Sequence, residues 1–168
     1  MGKRGYIFLP GGFNKVIEEL SKSYRIYAPV LKVGEGRFTD TDVVRYDFVK
    51  EASEIELDKK SDYSFKEILT PLSQTLFFFT ENDVKESEID EREVLVFLRS
   101  CDLNALKRLD QIYLHNGREE DYFYARIRDK VKFVLIGCAH SYEDCFCVDM
   151  GTNRACLLYT SPSPRDGL

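Results

Sequence analysis

Glu93-Val-Leu-Val-Phe-Leu-Arg99, Ser100-Cys-Asp-Leu-Asn-Ala-Leu-Lys-Arg-Leu109 and Lys132-Phe-Val-Leu-Ile-Gly137 decide the architecture of this chain. The first run is continuously apolar, the pattern of a strand in a sheet covered on both faces. The second repeats Leu103, Leu106, Leu109 and Tyr113 at helical spacing to about His115, with Ser100 or Asp102 available as a cap. A polar turn and a second helical stretch, Asp121-Tyr-Phe-Tyr-Ala-Arg-Ile-Arg128, lead to the third run, which reads as another buried strand. Strand, helix, strand predicts a right-handed crossover onto a parallel sheet. The predicted fold class is therefore α/β (mixed α+β), a parallel-sheet core built on a βαβ crossover.

Upstream, Phe13, Val16, Ile17 and Leu20 share one face of a helix predicted over 13–23, and Tyr24 to Lys32 follows as a strand. Gly34-Glu-Gly36-Arg-Phe-Thr-Asp-Thr-Asp42 is a turn-rich loop. Its lone Gly-x-Gly lacks a third glycine and a strand-loop-helix setting, so the glycines are read as relieving backbone strain rather than cradling phosphate. Val43 to Phe48 reads as a short strand, and 51–62 as an exposed strand and turn with Ile55 and Leu57 alternating. Ser64 to Pro71 predicts a short helix capped by Ser64, with Glu67 completing a capping box and Pro71 marking its limit. Leu76-Phe-Phe-Phe79 reads as a buried strand. Lys66, Glu67 and Arg99 are read as solvated or ion-paired charges.

With 168 residues, 43% of them hydrophobic and 32% charged, the chain has material for one globular core. A net charge of -5 offers no basic stripe for nucleic acid. No apolar run approaches the ~20 residues of a membrane span. The N-terminus lacks the apolar stretch of a signal peptide, which implies a cytoplasmic protein, where lasting disulfides are rare.

Function is expected to lie in the cysteines. Three fall in Gly137-Cys138-Ala-His-Ser-Tyr-Glu-Asp-Cys145-Phe-Cys147, and Cys101 opens the helix after the first strand. In a parallel α/β unit, strand ends share the edge where ligands bind, so Cys101 and Cys138 are expected side by side. The positive end of the helix favours a thiolate at Cys101. In an extended segment Cys145 and Cys147 would point the same way, about 6.6 Å apart at ~3.3 Å per residue. Four thiolates from Cys101, Cys138, Cys145 and Cys147 could hold a 4Fe-4S cluster or a zinc ion. The spacing leaves these two open, beside a third reading as small buried residues in a tight turn. His140 is expected as a hydrogen-bonding neighbour. Of the two histidines, His115 and His140, neither forms a recognisable nucleophile–base pair.

Further blocks carry a resemblance. Ile26-Tyr-Ala-Pro29, Gly36-Arg-Phe-Thr-Asp-Thr-Asp42, Tyr46, Lys66-Glu67 with Pro71, Arg99-Ser-Cys-Asp-Leu-Asn-Ala-Leu106, Gly137-Cys138 and Cys145-Phe-Cys147-Val-Asp-Met-Gly-Thr152 together span most of 14–153. They resemble the iron–sulfur A-type subunits of the anaerobic sulfite reductase family and the related beta-type iron–sulfur subunits of sulfhydrogenases. Those usually carry Pro-Cys-Asp where this chain has Ser100-Cys101-Asp102. The resemblance implies a cytoplasmic electron-transfer subunit that breaks no bonds itself. It would take electrons from a flavin- and NADH-binding partner and relay them through 4Fe-4S centres toward a sirohaem-containing reductase subunit. The alternatives are the equivalent subunit of a sulfhydrogenase or hydrogenase complex, and a structural zinc-binding scaffold. The resemblance also implies a ferredoxin-like C-terminal half with two further cluster motifs, which is missing here. Residues 1–154 are then the N-terminal domain of such a subunit. Cys156-Leu-Leu-Tyr-Thr-Ser-Pro-Ser-Pro-Arg-Asp resembles translated sequencing adapter. Residues 155–168 are accordingly expected to be a non-native tail, with no role for Cys156.

Overall fold

Helix α1 (Gly12–Ser21) leads into strands β1 (Tyr24–Lys32) and β2 (Val43–Val49), and single 3-10 turns follow at Ala52–Glu54 and Phe65–Ile68. A small hairpin of β3 (Phe77–Phe79) and β4 (Val84–Glu86) precedes β5 (Glu93–Arg99), α2 (Ser100–Tyr113), α3 (Tyr122–Asp129) and β6 (Val131–Ile136). The structure is a computed structural model that describes residues 7–38, 40–87, 92–143 and 145–151. The expected tail at 155–168, with Cys156, lies outside the described residues, as does Thr152.

The main sheet has the order β2-β1-β5-β6. Strand β5 is parallel to both β1 and β6, and β2 pairs antiparallel with β1. The fold is α/β as expected, with one antiparallel edge on a parallel core. The unbroken apolar run of β5 has the anticipated cause. Its alternate residues Val94, Val96 and Leu98 join Leu103, Leu106 and Tyr124 on one face. Leu95 and Phe97 join Ile17, Ile26 and Ile136 on the other. Helices α2 and α3 thus cover one face and α1 the other, so period-two alternation has no polar side to show.

Three expectations are corrected. Strand β6 is an edge strand, with only Val131 and Ile136 buried, because among the described residues no fifth strand covers it. Segment 51–62 is a 3-10 turn and coil rather than a strand; Ile55 is buried and Leu57 41% exposed. The three phenylalanines of β3 are exposed, Phe79 by 75%, since their hairpin is a separate two-stranded sheet. The predicted helix after Ser64 is a 3-10 turn whose cap is real: Ser64 Oγ accepts the Lys66 N–H at 3.4 Å. In the glycine loop, Gly34 has φ +70°, and a Cβ on Gly36 would sit 2.1 Å from Thr41 Oγ1. Both glycines therefore serve the turn itself.

Tyr27, Tyr46 and Tyr124 are all buried in the α2/α3 face. Burial, with Glu67 and Asp47 nearby, pushes the Tyr27 phenol up to about 12, and burial beside Asp102 or Asp110 raises Tyr46 and Tyr124 as well. An unfolded tyrosine titrates near about 10. The folded state holds the phenol protonated, so this stability is intact below pH 10 and is lost as pH rises through the folded values. The denaturation midpoint is expected to fall between pH 10 and 12, and less steeply in Tyr27→Phe; parallel curves would refute the assignment to Tyr27.

Candidate metal centre

Register brings the two strand ends together. Arg99 pairs with Ile136 across β5 and β6, and Cys101 and Cys138 each lie two residues beyond that pair. Helix α2 starts at once because Asp102, in its first turn, accepts the Arg99 backbone N–H at 3.3 Å. The Tyr46 hydroxyl of β2 reaches the same carboxylate at 3.4 Å, tying the helix start to the sheet. Burial pushes the Asp102 carboxyl up, against the pull of these donors.

After Cys138 the chain forms a compact loop. The Cys145 N–H donates to the Tyr142 carbonyl at 3.1 Å, and the Tyr142 N–H to Cys145 Sγ at 3.2 Å. Met150 then closes a turn back onto the Phe146 carbonyl. Cys145 and Cys147 do share one cavity, but through a turn rather than the expected extended segment. That cavity, about 180 Å³, is lined by Cys101, Cys145 and Cys147 with Lys60, Asn104, Phe146 and Met150. Cys138 is not in its lining; its Sγ accepts a hydrogen bond from Arg99 Nη1 at 3.3 Å. None of the four cysteines is in a disulfide. Among the described residues, no group of three or more His, Cys, Asp or Glu side chains is placed to hold a single metal ion.

The expected thiolate at Cys101 is corrected. Burial, aided by the Asp102 carboxylate and then the Cys147 thiol, pushes the Cys101 thiol up to about 11. A helix terminus contributes about 0.3–1 kcal/mol, less than the roughly 1.4 kcal/mol of a single pKa step. Desolvation therefore wins, and Cys101 is held as a thiol.

Arg99 is the residue that reading the sequence left aside. It is 4% exposed. Its Nη2 donates to the carbonyls of Leu57 at 2.7 Å and Lys59 at 3.0 Å. Its guanidinium carbon lies 5.1 Å from the centre of the Tyr142 ring, and the Tyr142 hydroxyl donates to the Asp58 carbonyl. Segment 57–60, which carries Lys60 into the cavity, is thereby fastened to the cysteine loop. The available signal was position: a charge at the end of the apolar run Val94 to Leu98, two residues before Cys101. Glu67 fits the solvated reading, 3.7 Å from Arg45 at the surface. His140 is exposed and its ring lies tilted against that of Tyr142, with ring centres 4.9 Å apart. It lines a second, mostly apolar cavity of about 330 Å³, whose lining includes none of the cysteines.

Over 149 residues the chain is 31% identical to the sulfhydrogenase 2 subunit beta of Pyrococcus furiosus. The match takes in 88% of this chain and 40% of that protein, so the chain spans well under half the length of the curated relative it matches. No family model matches, and no solved structure matches. Among the described residues, no helix is long and apolar enough to cross a membrane.

Proposed function

We propose that residues 1–154 form a cluster-bearing domain of an electron-transfer subunit of the sulfhydrogenase beta type, with a 4Fe-4S cluster held by Cys101, Cys138, Cys145 and Cys147. The observation that carries this reading is the cavity onto which thiols from two separate segments open. A zinc ion, with Zn–S bonds of about 2.3 Å, needs its sulfurs within roughly 4 Å of one another. The three thiols that line this 180 Å³ cavity are not placed to hold a single ion, which favours a cluster several atoms across. Lys60 in the lining and Arg99 behind Cys138 offset the negative charge such a guest would bring.

A bound 4Fe-4S cluster carries single electrons. The residues of this chain bind and orient it, and Cys101 gives up its proton on ligation. The likeness to a sulfhydrogenase subunit favours a hydrogenase-type complex. The motif resemblance to the A-type subunits of anaerobic sulfite reductases is the second reading. In the sulfite reductase reading, electrons arrive from a flavin- and NADH-binding subunit. A co-purifying nickel–iron subunit supports the first, and a sirohaem subunit the second.

The test is anaerobic purification with metal analysis and a visible spectrum. About four iron and four sulfide per chain, with broad visible absorbance, are expected. Cys101→Ser and Cys145→Ser should each lose most of both. One zinc per chain and no colour would overturn the reading in favour of a zinc scaffold.

A further inference from the structure

We propose that the second, mostly apolar cavity is a binding site for an uncharged flat molecule of two or three fused aromatic rings. This does not depend on the cluster reading above. The cavity lies toward the carboxyl ends of β5 and β6, which contribute Phe97, Val134 and Ile136 to its lining. Those ends of parallel strands are where open α/β sheets bind ligands. The three residues belong to the α1 face of the sheet, with Phe13 of α1 packed against the same core cluster. The thiol cavity instead draws Cys101 and Asn104 from α2, which covers the other face.

Size and lining set the class of guest. The volume is about 330 Å³. An apolar cavity of about 150 Å³ takes a single benzene ring, so this one has room for two or three. Aromatic rings supply much of the wall: Phe13, Phe97, and the mutually tilted His140 and Tyr142. Such rings pair with a flat guest in offset or edge-on geometry. The Tyr142 hydroxyl is committed to the Asp58 carbonyl, so Tyr142 offers its ring rather than a polar tip. Gly137 follows β6 in the lining without a positive φ, and a Cβ there would meet no atom within 4 Å. Neither a turn nor packing requires that glycine; it leaves bare main chain that a ligand can approach closely.

Charge decides between neutral and phosphorylated guests. Among the described residues that line the cavity there is no lysine or arginine, and Asp58 brings a carboxylate. Arg99, close behind Tyr142, is held on the carbonyls of Leu57 and Lys59. A phosphate drawn into this site would meet a like charge and no cation to offset its desolvation.

The test titrates the full chain into riboflavin and, separately, into flavin mononucleotide, and reads quenching of the flavin fluorescence. The two probes share one three-ring system and differ by a phosphate. Riboflavin should bind, and the mononucleotide about tenfold more weakly or worse. Val134→Phe fills the cavity from its core wall. Riboflavin affinity should then fall about tenfold or more, while Tm holds or rises because a void has been filled. Asp58→Asn keeps the backbone bonds of that residue and should narrow the gap between the two flavins. Unquenched riboflavin would overturn the proposal, as would a mononucleotide that binds as tightly, full riboflavin affinity in folded Val134→Phe, or a gap that Asp58→Asn leaves unchanged. The comparison of the two flavins in the wild-type chain needs no variant, so it decides the matter even where Val134→Phe fails to fold. None of these outcomes bears on iron or sulfide content, so the cluster reading is tested apart.

Discussion

Arg99→Met is expected to destabilise the fold by about 2–4 kcal/mol in the metal-free protein. The substitution keeps much of the side-chain volume and removes every donor. The carbonyls of Leu57 and Lys59 then lose partners at 2.7 and 3.0 Å, behind a side chain that was 4% exposed. A hydrogen bond to a charged group is worth about 1.5–3 kcal/mol. Two of them outweigh the relief from no longer burying a cation, because that cation was already well bonded. For a chain of this size the loss corresponds to a fall in Tm of roughly 4–16 °C. Denaturant unfolding should show a lower midpoint with an unchanged slope. A midpoint equal to wild type would mean that segment 57–60 does not depend on Arg99.

Phe65→Ala is expected to cost about 3–5 kcal/mol, the range for truncating a buried aromatic ring. Phe65 is fully buried, and its ring meets Tyr46 edge-on at 6.2 Å and Phe133 at 6.4 Å. It thereby joins strands β2 and β6, the two outer strands of the sheet, across the α2/α3 face. Phe78→Ala, at a site 60% exposed in the hairpin, should stay within about 0.5 kcal/mol. Measured together, the two variants test whether the core runs through the 3-10 turn after Ser64 rather than through the phenylalanine triplet. Equal costs would contradict this placement.

The phenylalanine pair shows where sequence patterns stop. Phe77, Phe78 and Phe79 form the most apolar triplet in the middle of the chain, and they lie at the surface. Phe65 stands alone among polar neighbours, in Ser64-Phe65-Lys66-Glu67, and is fully buried. Local hydrophobicity measures a preference for burial. Which residue satisfies it depends on which face of the sheet its segment crosses, and that is a long-range matter. β5 was legible because it is buried on both sides, so every residue in the run carries the same signal.

The cysteine centre divides in the same way. Strand, helix and strand in order, each strand followed two residues later by a cysteine, were enough to place Cys101 and Cys138 at one edge, since a parallel crossover aligns strand ends whatever its loops do. Cys145 and Cys147 were recognisable as companions from their closeness to Cys138. The sequence by itself thus determined the α/β class, the central strand and the four residues to consider. The tertiary structure alone decided which thiols open onto one cavity, that Cys101 is held protonated by burial, and that Arg99 is bonded to Cys138. These are consequences of desolvation and of side chains meeting from segments about 40 residues apart, for which a one-dimensional pattern has no term.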